Sequence, residues 1–293
     1  MAALDFVYNP VSGSFDERRM AALVSALEGE GFDVRPMPTT RDGAQLSGTA
    51  DLVCVHGGDG TLRDVVQALG RRAGEVPLAI AASGTINLVA RELRYPKKPD
   101  PFAKALRAAW DRGRESWLSA PLYTLGAMPV VSCLSIGPDS QAVARVSDEL
   151  KRRIGRYAYV VALAQQMRQW SRQPMTVRGE LADGTRFETR AEAVIASHGA
   201  LYAGPFRLSA KAALHADSIE LVTLHRSTRL GTLALSAAAM LRLPIKRLGL
   251  ADIRTVRRVE FDRCVLPVQV DGDHMPDCAY AIGPSGIALT YVI

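Results

Sequence analysis

Cysteine is scarce in this sequence, and its spacing matches no common framework. The four cysteines lie far apart and include no Cys-x-x-Cys pair, the spacing that many zinc and redox sites use. Neither a zinc site nor a disulfide framework is therefore expected, and a reduced, cytoplasmic compartment fits. The cysteines are Cys54, Cys133, Cys264 and Cys278.

Long hydrophobic segments and dense basic blocks are also missing. The longest apolar candidate, Leu230–Leu241, stops at Arg242 and falls short of the ~18 residues that a membrane span needs. The N-terminus lacks the basic and then apolar pattern of a signal peptide. Basic residues number 36 and acidic residues 30, a net charge of +6. We therefore expect a soluble or peripheral protein with no nucleic-acid partner, whose charge is compatible with acidic membranes or phosphorylated substrates.

The segment Asp51–Leu69 has the pattern of a strand, a glycine turn and a helix. Leu52–Val55 is a short apolar run of the kind that is buried in a parallel sheet. Thr61 is the expected N-cap of the helix. The turn Gly57-Gly58-Asp59-Gly60 has three glycines, which let a backbone or a phosphate approach the N–H groups at the helix start. A tight connection would explain one glycine, whereas three with a carboxylate favour an anion site. The apolar face of the helix is Leu62, Val65, Val66 and Leu69.

Two more turns of small and polar residues follow predicted strands. Asn9–Gly13 comes after Leu4–Tyr8, and Ser83–Asn87 comes after Leu78–Ala82. Alternating strands and helices predict an open parallel sheet, whose ligands bind beyond the carboxyl ends of the strands. Because all three turns fall at that edge, we predict a site for the phosphates of a nucleotide.

The chain is long enough for two domains. Residues 1–120 are predicted to form an α/β domain with an open parallel sheet. Residues 121–293 contain short alternating segments and tight turns, which predict a mainly antiparallel, β-rich second domain. Its predicted strands are Tyr123–Leu125, Val130–Leu134, Met175–Leu181, Arg186–Ala196, Ile219–Leu224, Arg258–Phe261, Val265–Val270 and Ile287–Ile293.

Two predicted helices interrupt these strands. Ser140–Trp170 is basic near its middle, which is typical of a solvated face and would also suit contact with anionic lipid. Leu230–Leu241 is apolar and is expected in the core rather than in a membrane. The basic residues of the first helix are Lys151, Arg152, Arg153 and Arg156.

The segment Val268–Asp273 places two carboxylates just after a predicted strand. A hairpin turn would account for Asp271-Gly272. It does not require the second carboxylate, Asp273.

Four segments together resemble the diacylglycerol kinase catalytic family, which includes bacterial lipid kinases and is related to sphingosine and ceramide kinases. The likeness covers nearly the whole chain. Ser135–Asp139 and Leu214–Leu221 are similar to further family segments. The Gly-Gly-Asp-Gly-Thr signature alone would also fit NAD kinases, but the first and last segments favour lipid kinases. The four segments are Asn9–Gly13, Gly57–Thr61, Gly84–Asn87 and Gln269–Asp273.

The resemblance implies ATP and Mg²⁺ as cofactors and a lipid hydroxyl as the acceptor, presented at a membrane surface. Asp273 falls on the family's general base, and Asp59 would engage metal-bound water. A structural Mg²⁺ would be held by Asp217 and the carbonyls of Leu214 and Ile219, oxygen ligands that suit this ion. Thr40 is nearly as good a match as Thr39 on the nucleotide side. The implied nucleotide-binding residues are Asn9, Ser12, Gly13, Thr39, Gly57, Gly58, Asp59, Gly60, Thr61, Leu62, Arg63, Asp64, Gly84 and Thr85.

The sequence departs from the family pattern at three points. Asp273 replaces a Glu and is one methylene shorter, Ser218 replaces a Gly, and Ala82 and Leu88 replace a Pro and an Asp. We expect an ATP-dependent lipid kinase in the cytoplasm, associated peripherally with the inner face of the membrane. Two alternatives stay open: an NAD kinase-like enzyme and a catalytically weakened nucleotide- or lipid-binding relative. A homodimer is also open.

Overall fold

The computed structural model describes residues 1–12, 15–84, 86–145, 172–262, 267–275 and 280–293. The chain forms two compact units. The first consists of Met1–Leu122 with Gly286–Ile293, and the second of Tyr123–Ser285. Among the described residues, no helix has the length and apolar character needed to cross a membrane.

The first unit alternates strands and helices, as predicted. Its sheet has the order β2-β1-β3-β4, and all of these pairs are parallel. Short 3₁₀ helices cover Gly70–Gly74 and Arg114–Ser116. The regular elements are β1 (Ala2–Tyr8), α1 (Glu17–Gly29), β2 (Phe32–Pro38), β3 (Leu52–His56), α2 (Asp59–Leu69), β4 (Leu78–Ile80), α3 (Leu88–Glu92) and α4 (Pro99–Asp111).

Burial explains why these segments form these elements. All five residues of β3 are buried, because a central parallel strand is covered on both faces. The helix α2 buries the stripe that the sequence predicted, Leu62, Val65, Val66 and Leu69. The α/β fold with an open parallel sheet is thus confirmed for the first unit.

The second unit is built mainly from antiparallel strands, which also confirms the predicted class. The central order is β14-β13-β7-β10-β11-β12, with β8 between β12 and β9, and β5 beside β6. The strands β5 and β15 each run from one unit into the other. The elements are β5 (Leu118–Leu125), β6 (Met128–Val130), β7 (Cys133–Ile136), α5 (Pro138–Arg145), β8 (Met175–Leu181), β9 (Arg186–Ala191), β10 (Ala193–Ser197), β11 (Ile219–Leu224), α6 (Arg229–Met240), β12 (Asp252–Phe261), β13 (Val268–Val270), β14 (Asp273–Met275) and β15 (Ala281–Tyr291).

Two segments predicted as single strands are interrupted where a carboxylate accepts backbone hydrogen bonds. The segment 130–134 breaks between β6 and β7, where the Asp271 carboxylate binds the backbone N–H groups of Val131 and Ser132. The segment 186–196 breaks at Glu192, whose side chain accepts hydrogen bonds from Arg172 and from the Ser227 N–H. No glycine or proline marks either break within these segments. At the first break the carboxylate comes from a distant residue, Asp271. At the second break the interrupting residue, Glu192, supplies the carboxylate itself.

The chain's last strand, its long basic helix and the helix α6 differ from the prediction or lie outside the described residues. Residues 286–293, which the sequence predicts as part of the second domain, belong to the first unit, where Tyr291 pairs in parallel with Leu78. The long helix predicted for 140–170 lies largely outside the described residues, as do its four basic residues. The helix α6 buries only one face, so its assignment to the core was half right.

Candidate functional site

The helix α2 begins three residues earlier than the sequence predicts. Its first residue is Asp59, and its N-cap is Gly58, with an extended backbone (φ −100°, ψ −172°). Thr61 as the N-cap is therefore wrong. The Thr61 side chain instead packs on the backbone of Gly57, where an added Cβ would lie 2.5 Å from the Thr61 Cβ. The first N–H groups of a helix have no acceptor within it, so this turn keeps the geometry that favours an anion.

The Asp59 side chain crosses from α2 to the start of α3. Its Oδ2 accepts the N–H of Leu88 at 2.7 Å, and its Oδ1 accepts the N–H of Val89 at 3.1 Å. The N-cap of α3, Asn87, is left-handed (φ 53°) and makes no side-chain cap of its own. The buried carboxylate of Asp59 therefore caps α3 from another helix. A role for Asp59 at metal-bound water stays a prediction.

The second and third turns touch through their glycines. An added Cβ on Gly84 would lie 2.7 Å from the Gly58 Cα, a distance that real Cβ atoms do not reach. The N–H groups of Ser83 and Gly84 both point at the Gly57 carbonyl, at 3.1 and 3.3 Å. The structure thus brings these two predicted turns together, and close backbone packing is one reason for their glycines.

The first turn lies at the same edge of the parallel sheet. Tyr8 is the last residue of β1 and is in register with His56, the last residue of β3. The Asn9 side chain folds the turn by accepting the N–H of Val11 at 3.1 Å. Thr39 is placed beside it, because its N–H donates to the Tyr8 carbonyl at 2.8 Å.

Thr39 and Thr40 differ in what their side chains do. The Thr40 hydroxyl accepts the N–H of Asp42 at 3.2 Å within a local turn, and Thr40 is exposed. Thr39 is half-buried next to the first turn. The geometry thus favours Thr39, although its contact with a nucleotide stays a prediction.

Several buried polar atoms at this edge have no hydrogen-bond partner among the described residues. They are Ser12 Oγ, His56 Nε2 and Asn87 Oδ1. Buried polar atoms in proteins are nearly always hydrogen-bonded, and exceptions call for a ligand, water or functional explanation. Their position at the carboxyl ends of β1, β3 and β4 fits a polar ligand such as a nucleotide phosphate.

Sequence reasoning missed two residues that support this edge. Arg19 donates to the carbonyls of Ala82 (2.9 Å) and Lys97 (3.0 Å), and so ties α1 to the segment after β4. The ring of His56 is buried, with Nδ1 2.8 Å from the Ala81 carbonyl. Burial lowers the pKa of His56, and the nearby Arg19 charge adds to this effect. A histidine directly before a glycine turn was the available signal for His56; Arg19 had none.

The remaining nucleotide-side residues have different environments. Leu62 packs in the core, so only its backbone could face a ligand. Arg63 and Asp64 form an ion pair at 3.8 Å. Gly60 is half-buried in the first turn of α2. Gly13 and Thr85 lie outside the described residues.

The Asp271-Gly272 turn joins β13 to β14 as a hairpin, with φ values of 52° and 91°. The Asp271 carboxylate is buried and accepts the N–H groups of Val131 (3.1 Å), Ser132 (2.8 Å) and Cys133 (3.1 Å). Gln269 is hydrogen-bonded to the Ser135 hydroxyl at 2.9 Å. The Asp271 and Gln269 side chains thus stabilise the local structure by hydrogen bonding to residues of the neighbouring strand β7 and the segment before it. Asp273 differs: it begins β14 opposite Val270, and its side chain is half-buried.

The predicted metal-binding loop precedes β11. Leu214 and Ile219 are buried, whereas Asp217 is exposed. The residues fit Mg²⁺ in kind, because a carboxylate and backbone carbonyls are hard oxygen donors. Burial raises the pKa of Tyr123 to about 12, and the nearby Asp217 carboxylate adds to the shift. No group of three or more His, Cys, Asp or Glu side chains that could hold a metal occurs in the part of the chain that the structure describes.

Comparison with known proteins finds one family model and several relatives that resemble this chain. Residues 3–114 match the family model of the diacylglycerol kinase catalytic domain. The "Probable lipid kinase YegS-like" of Pseudomonas aeruginosa (strain UCBPP-PA14) is 34% identical over 148 residues, 48% of this chain and 46% of that protein. The "Diacylglycerol kinase" of Staphylococcus haemolyticus is 31% identical over 98 residues, 31% of this chain and 30% of that protein. This chain thus spans about half the length, or less, of the curated relatives that it matches.

Solved structures extend the similarity of fold over both units. A crystal structure of a candidate diacylglycerol kinase from Bacillus anthracis str. Sterne covers 99% of this chain and 95% of its own, with a TM-score of 0.73 and 19% identity. A second crystal structure, of a diacylglycerol kinase from the same strain, gives a TM-score of 0.70 at 16% identity, with coverages of 99% and 96%. At these identities the likeness shows the fold. The resemblance to the diacylglycerol kinase family is therefore confirmed, and the match to its catalytic-domain model covers residues 3–114.

Proposed function

We propose that this protein is an ATP-dependent lipid kinase, which transfers the γ-phosphoryl group of ATP to a hydroxyl of diacylglycerol or a related lipid. The proposal is supported by the catalytic-domain match over residues 3–114 and by relatives that are named lipid kinases. The acceptor lipid would be presented at the inner face of the membrane to a cytoplasmic protein.

One observation supports this proposal most strongly: two glycine turns meet at the edge of the parallel sheet, where a phosphate would fit. The turn Gly57–Gly60 leads into the N-terminus of α2, and the Gly84 turn packs against it. Ser12 Oγ and Asn87 Oδ1 are buried there without a partner among the described residues. Phosphoryl transfer requires mainly positioning and charge stabilisation from the protein, which backbone N–H groups at a helix start can supply.

The candidate for the general base is Asp273. The other two aspartates of the motifs already serve the backbone: Asp59 accepts two N–H groups and Asp271 accepts three. These hydrogen bonds hold both carboxylates in place, and the choice of Asp273 rests on its match to the general base of the family that the sequence resembles. In this proposal Asp273 accepts the proton of the lipid hydroxyl as that oxygen attacks the γ-phosphorus.

The proposed enzyme uses Mg²⁺ with ATP, as phosphoryl transfer generally does. When bound with ATP, the ion neutralises charge on the phosphate oxygens. A second, structural Mg²⁺ would be held by Asp217 and the carbonyls of Leu214 and Ile219. A carboxylate has about four lone-pair sites, and the two backbone hydrogen bonds of Asp59 use two of them. Asp59 would contact metal-bound water through the other sites.

The test is transfer of ³²P from labelled ATP to a mixed lipid extract in the presence of Mg²⁺. The wild type should label a lipid, and Asp273→Ala should lower kcat by about 10²–10⁴, the usual contribution of a positioned base. The affinity for ATP should change little, and Asp273→Glu should retain or raise activity. Asp183→Ala is the matched control, because Asp183 is an exposed carboxylate in another hairpin.

Other outcomes separate the alternatives. A wild type that binds ATP but labels no lipid, and that gains transfer in Asp273→Glu, is a weakened relative of the kinases. Phosphorylation of NAD instead of lipid would make it an NAD kinase. An active wild type that is unaffected by Asp273→Ala would remove Asp273 from the mechanism.

A further inference from the structure

Exposed large apolar side chains are concentrated on one segment of the second unit. Among the described residues, eight large hydrophobic side chains are exposed, and six of them lie between residues 230 and 248. Leu230 is 81% exposed and Leu241 is 67% exposed. We call this set the α6 surface. It consists of Leu230, Leu233, Met240, Leu241, Leu243 and Leu248.

The helix α6 is apolar on its exposed face as well as on the face that packs in the core. Its inner face, with Leu235, Ala238 and Ala239, is buried in a cluster that includes Val222 and Leu224 of β11. The opposite face is also apolar and lies in solvent. An amphipathic surface helix would carry polar residues there, and contiguous exposed apolar patches usually mark an interaction site.

The segment that carries the α6 surface has charged residues of a single sign. Residues 221–251 contain no Asp or Glu. They contain five basic residues, all exposed, of which Lys246 is paired with Asp252 at 3.5 Å. The five are Arg226, Arg229, Arg242, Lys246 and Arg247.

We propose that the α6 surface docks on an anionic lipid bilayer. Exposed leucines flanked by basic residues suit the boundary between acyl chains and acidic headgroups, where apolar burial and charge attraction add. A second copy of this chain is a poorer occupant, because a two-fold pairing would face these basic residues with the same residues of the other copy. Docking would bring the proposed kinase to its lipid substrate. The biological role of the docking therefore rests on the proposed function, whereas the docking itself does not.

The experiment is flotation of the full chain with vesicles of phosphatidylcholine alone and of phosphatidylcholine with phosphatidylglycerol. The wild type should partition onto the anionic vesicles at least tenfold better than onto the neutral ones, and 1 M salt should reduce that preference. Leu233→Gln with Met240→Gln should lower partitioning by at least tenfold. Arg242→Gln with Arg247→Gln should lower it about tenfold on anionic vesicles alone.

Matched controls separate docking from folding and from general charge. Arg71→Gln with Arg186→Gln removes the same charge from exposed positions outside the α6 surface and should change partitioning by less than about threefold. All variants should keep the wild-type Tm, because the changed side chains are exposed. They should also phosphorylate a short-chain, water-soluble diacylglycerol at the wild-type rate.

The outcomes distinguish this inference from the proposed function. Equal partitioning of the wild type onto the two vesicle types, or unchanged partitioning of the α6 variants, would overturn the docking surface. So would a wild-type dimer that Leu233→Gln with Met240→Gln converts to a monomer. A wild type that docks as expected but phosphorylates no lipid leaves the surface intact and removes the kinase proposal.

Discussion

The Asp59 carboxylate accepts the backbone N–H of Leu88 at 2.7 Å, a hydrogen bond that joins the first turn of α2 to the start of α3. Its other oxygen accepts the neighbouring N–H of Val89. The residue that sequence analysis placed against metal-bound water is therefore also the brace between two of the three turns. Because Asp59 would serve both the backbone and the metal-bound water, its substitution should affect both stability and activity.

Asp59→Asn should lower both stability and phosphoryl transfer. An amide has one oxygen, so its NH₂ group would face a backbone N–H that now binds a carboxylate oxygen. Leaving a buried donor without an acceptor costs about 1–3 kcal/mol. Urea unfolding and the lipid-labelling assay measure the two effects. Asp100→Asn is the control, because Asp100 is an exposed carboxylate in the first turn of α4. An inactive Asp59→Asn with wild-type stability would show that the brace matters less than a direct contact with the substrate.

Gly84→Ala should separate the second and third turns and weaken ATP binding. The added methyl would lie 2.7 Å from the Gly58 Cα, and backbone cannot yield as a flexible side chain can. We expect a loss of about 1–3 kcal/mol in the free energy of unfolding, the usual cost of overpacking, and at least a tenfold rise in the Kd for ATP measured by calorimetry. Gly29→Ala, where nothing lies within 4 Å of the new methyl, should be neutral. Wild-type ATP affinity in Gly84→Ala would contradict the nucleotide site at this edge.

Asp217→Ala should abolish the effect of Mg²⁺ on thermal stability. An ion that binds the native state alone raises Tm by mass action, so the wild type should gain Tm as Mg²⁺ is titrated. Scanning calorimetry with Asp183→Ala as the control measures this difference. Equal Mg²⁺-dependent shifts in wild type and Asp217→Ala would show that this loop holds no structural ion.

His198→Gln should reduce the loss of stability between pH 6.5 and pH 4. Burial lowers the pKa of His198 to about 4, and the charge of His215 adds to the shift. The unfolded chain, with an ordinary histidine pKa of about 6.5, takes up a proton before the folded chain does. Stability from this residue is therefore complete above pH 6.5 and is lost as pH falls to 4, by about 3 kcal/mol in all. Urea midpoints of both proteins across this range measure the difference, and parallel curves would contradict the assignment.

Features that depend on local sequence were predictable. The stripe Leu62, Val65, Val66 and Leu69 is buried as its helical spacing predicts, because periodicity alone sets which side chains share a face of a helix. The strand Leu52–His56 and the Asp271-Gly272 hairpin were likewise recognisable from residue type and order. The resemblance of short segments to a kinase family also needed only residues that are close in sequence.

The first residue of a helix and the contacts of the aspartates were harder to predict from the sequence. Thr61 is a good N-cap by residue type, but Gly58 has the extended backbone that the cap requires, and Thr61 is used to pack on Gly57. Propensity could not choose between them, because the choice depends on contact with the adjoining turn.

The sequence by itself determined the alternation of strands and helices, the apolar faces and the three turns, since each follows from interactions within a few residues. Only the tertiary structure decided what the carboxylates bind: Asp59 reaches a backbone 29 residues away, and Asp271 reaches one 139 residues away. It also decided that α6 buries one apolar face and exposes the other. A helix that is apolar on every side carries no local signal for which face will be covered, because burial is set by the elements that pack against it.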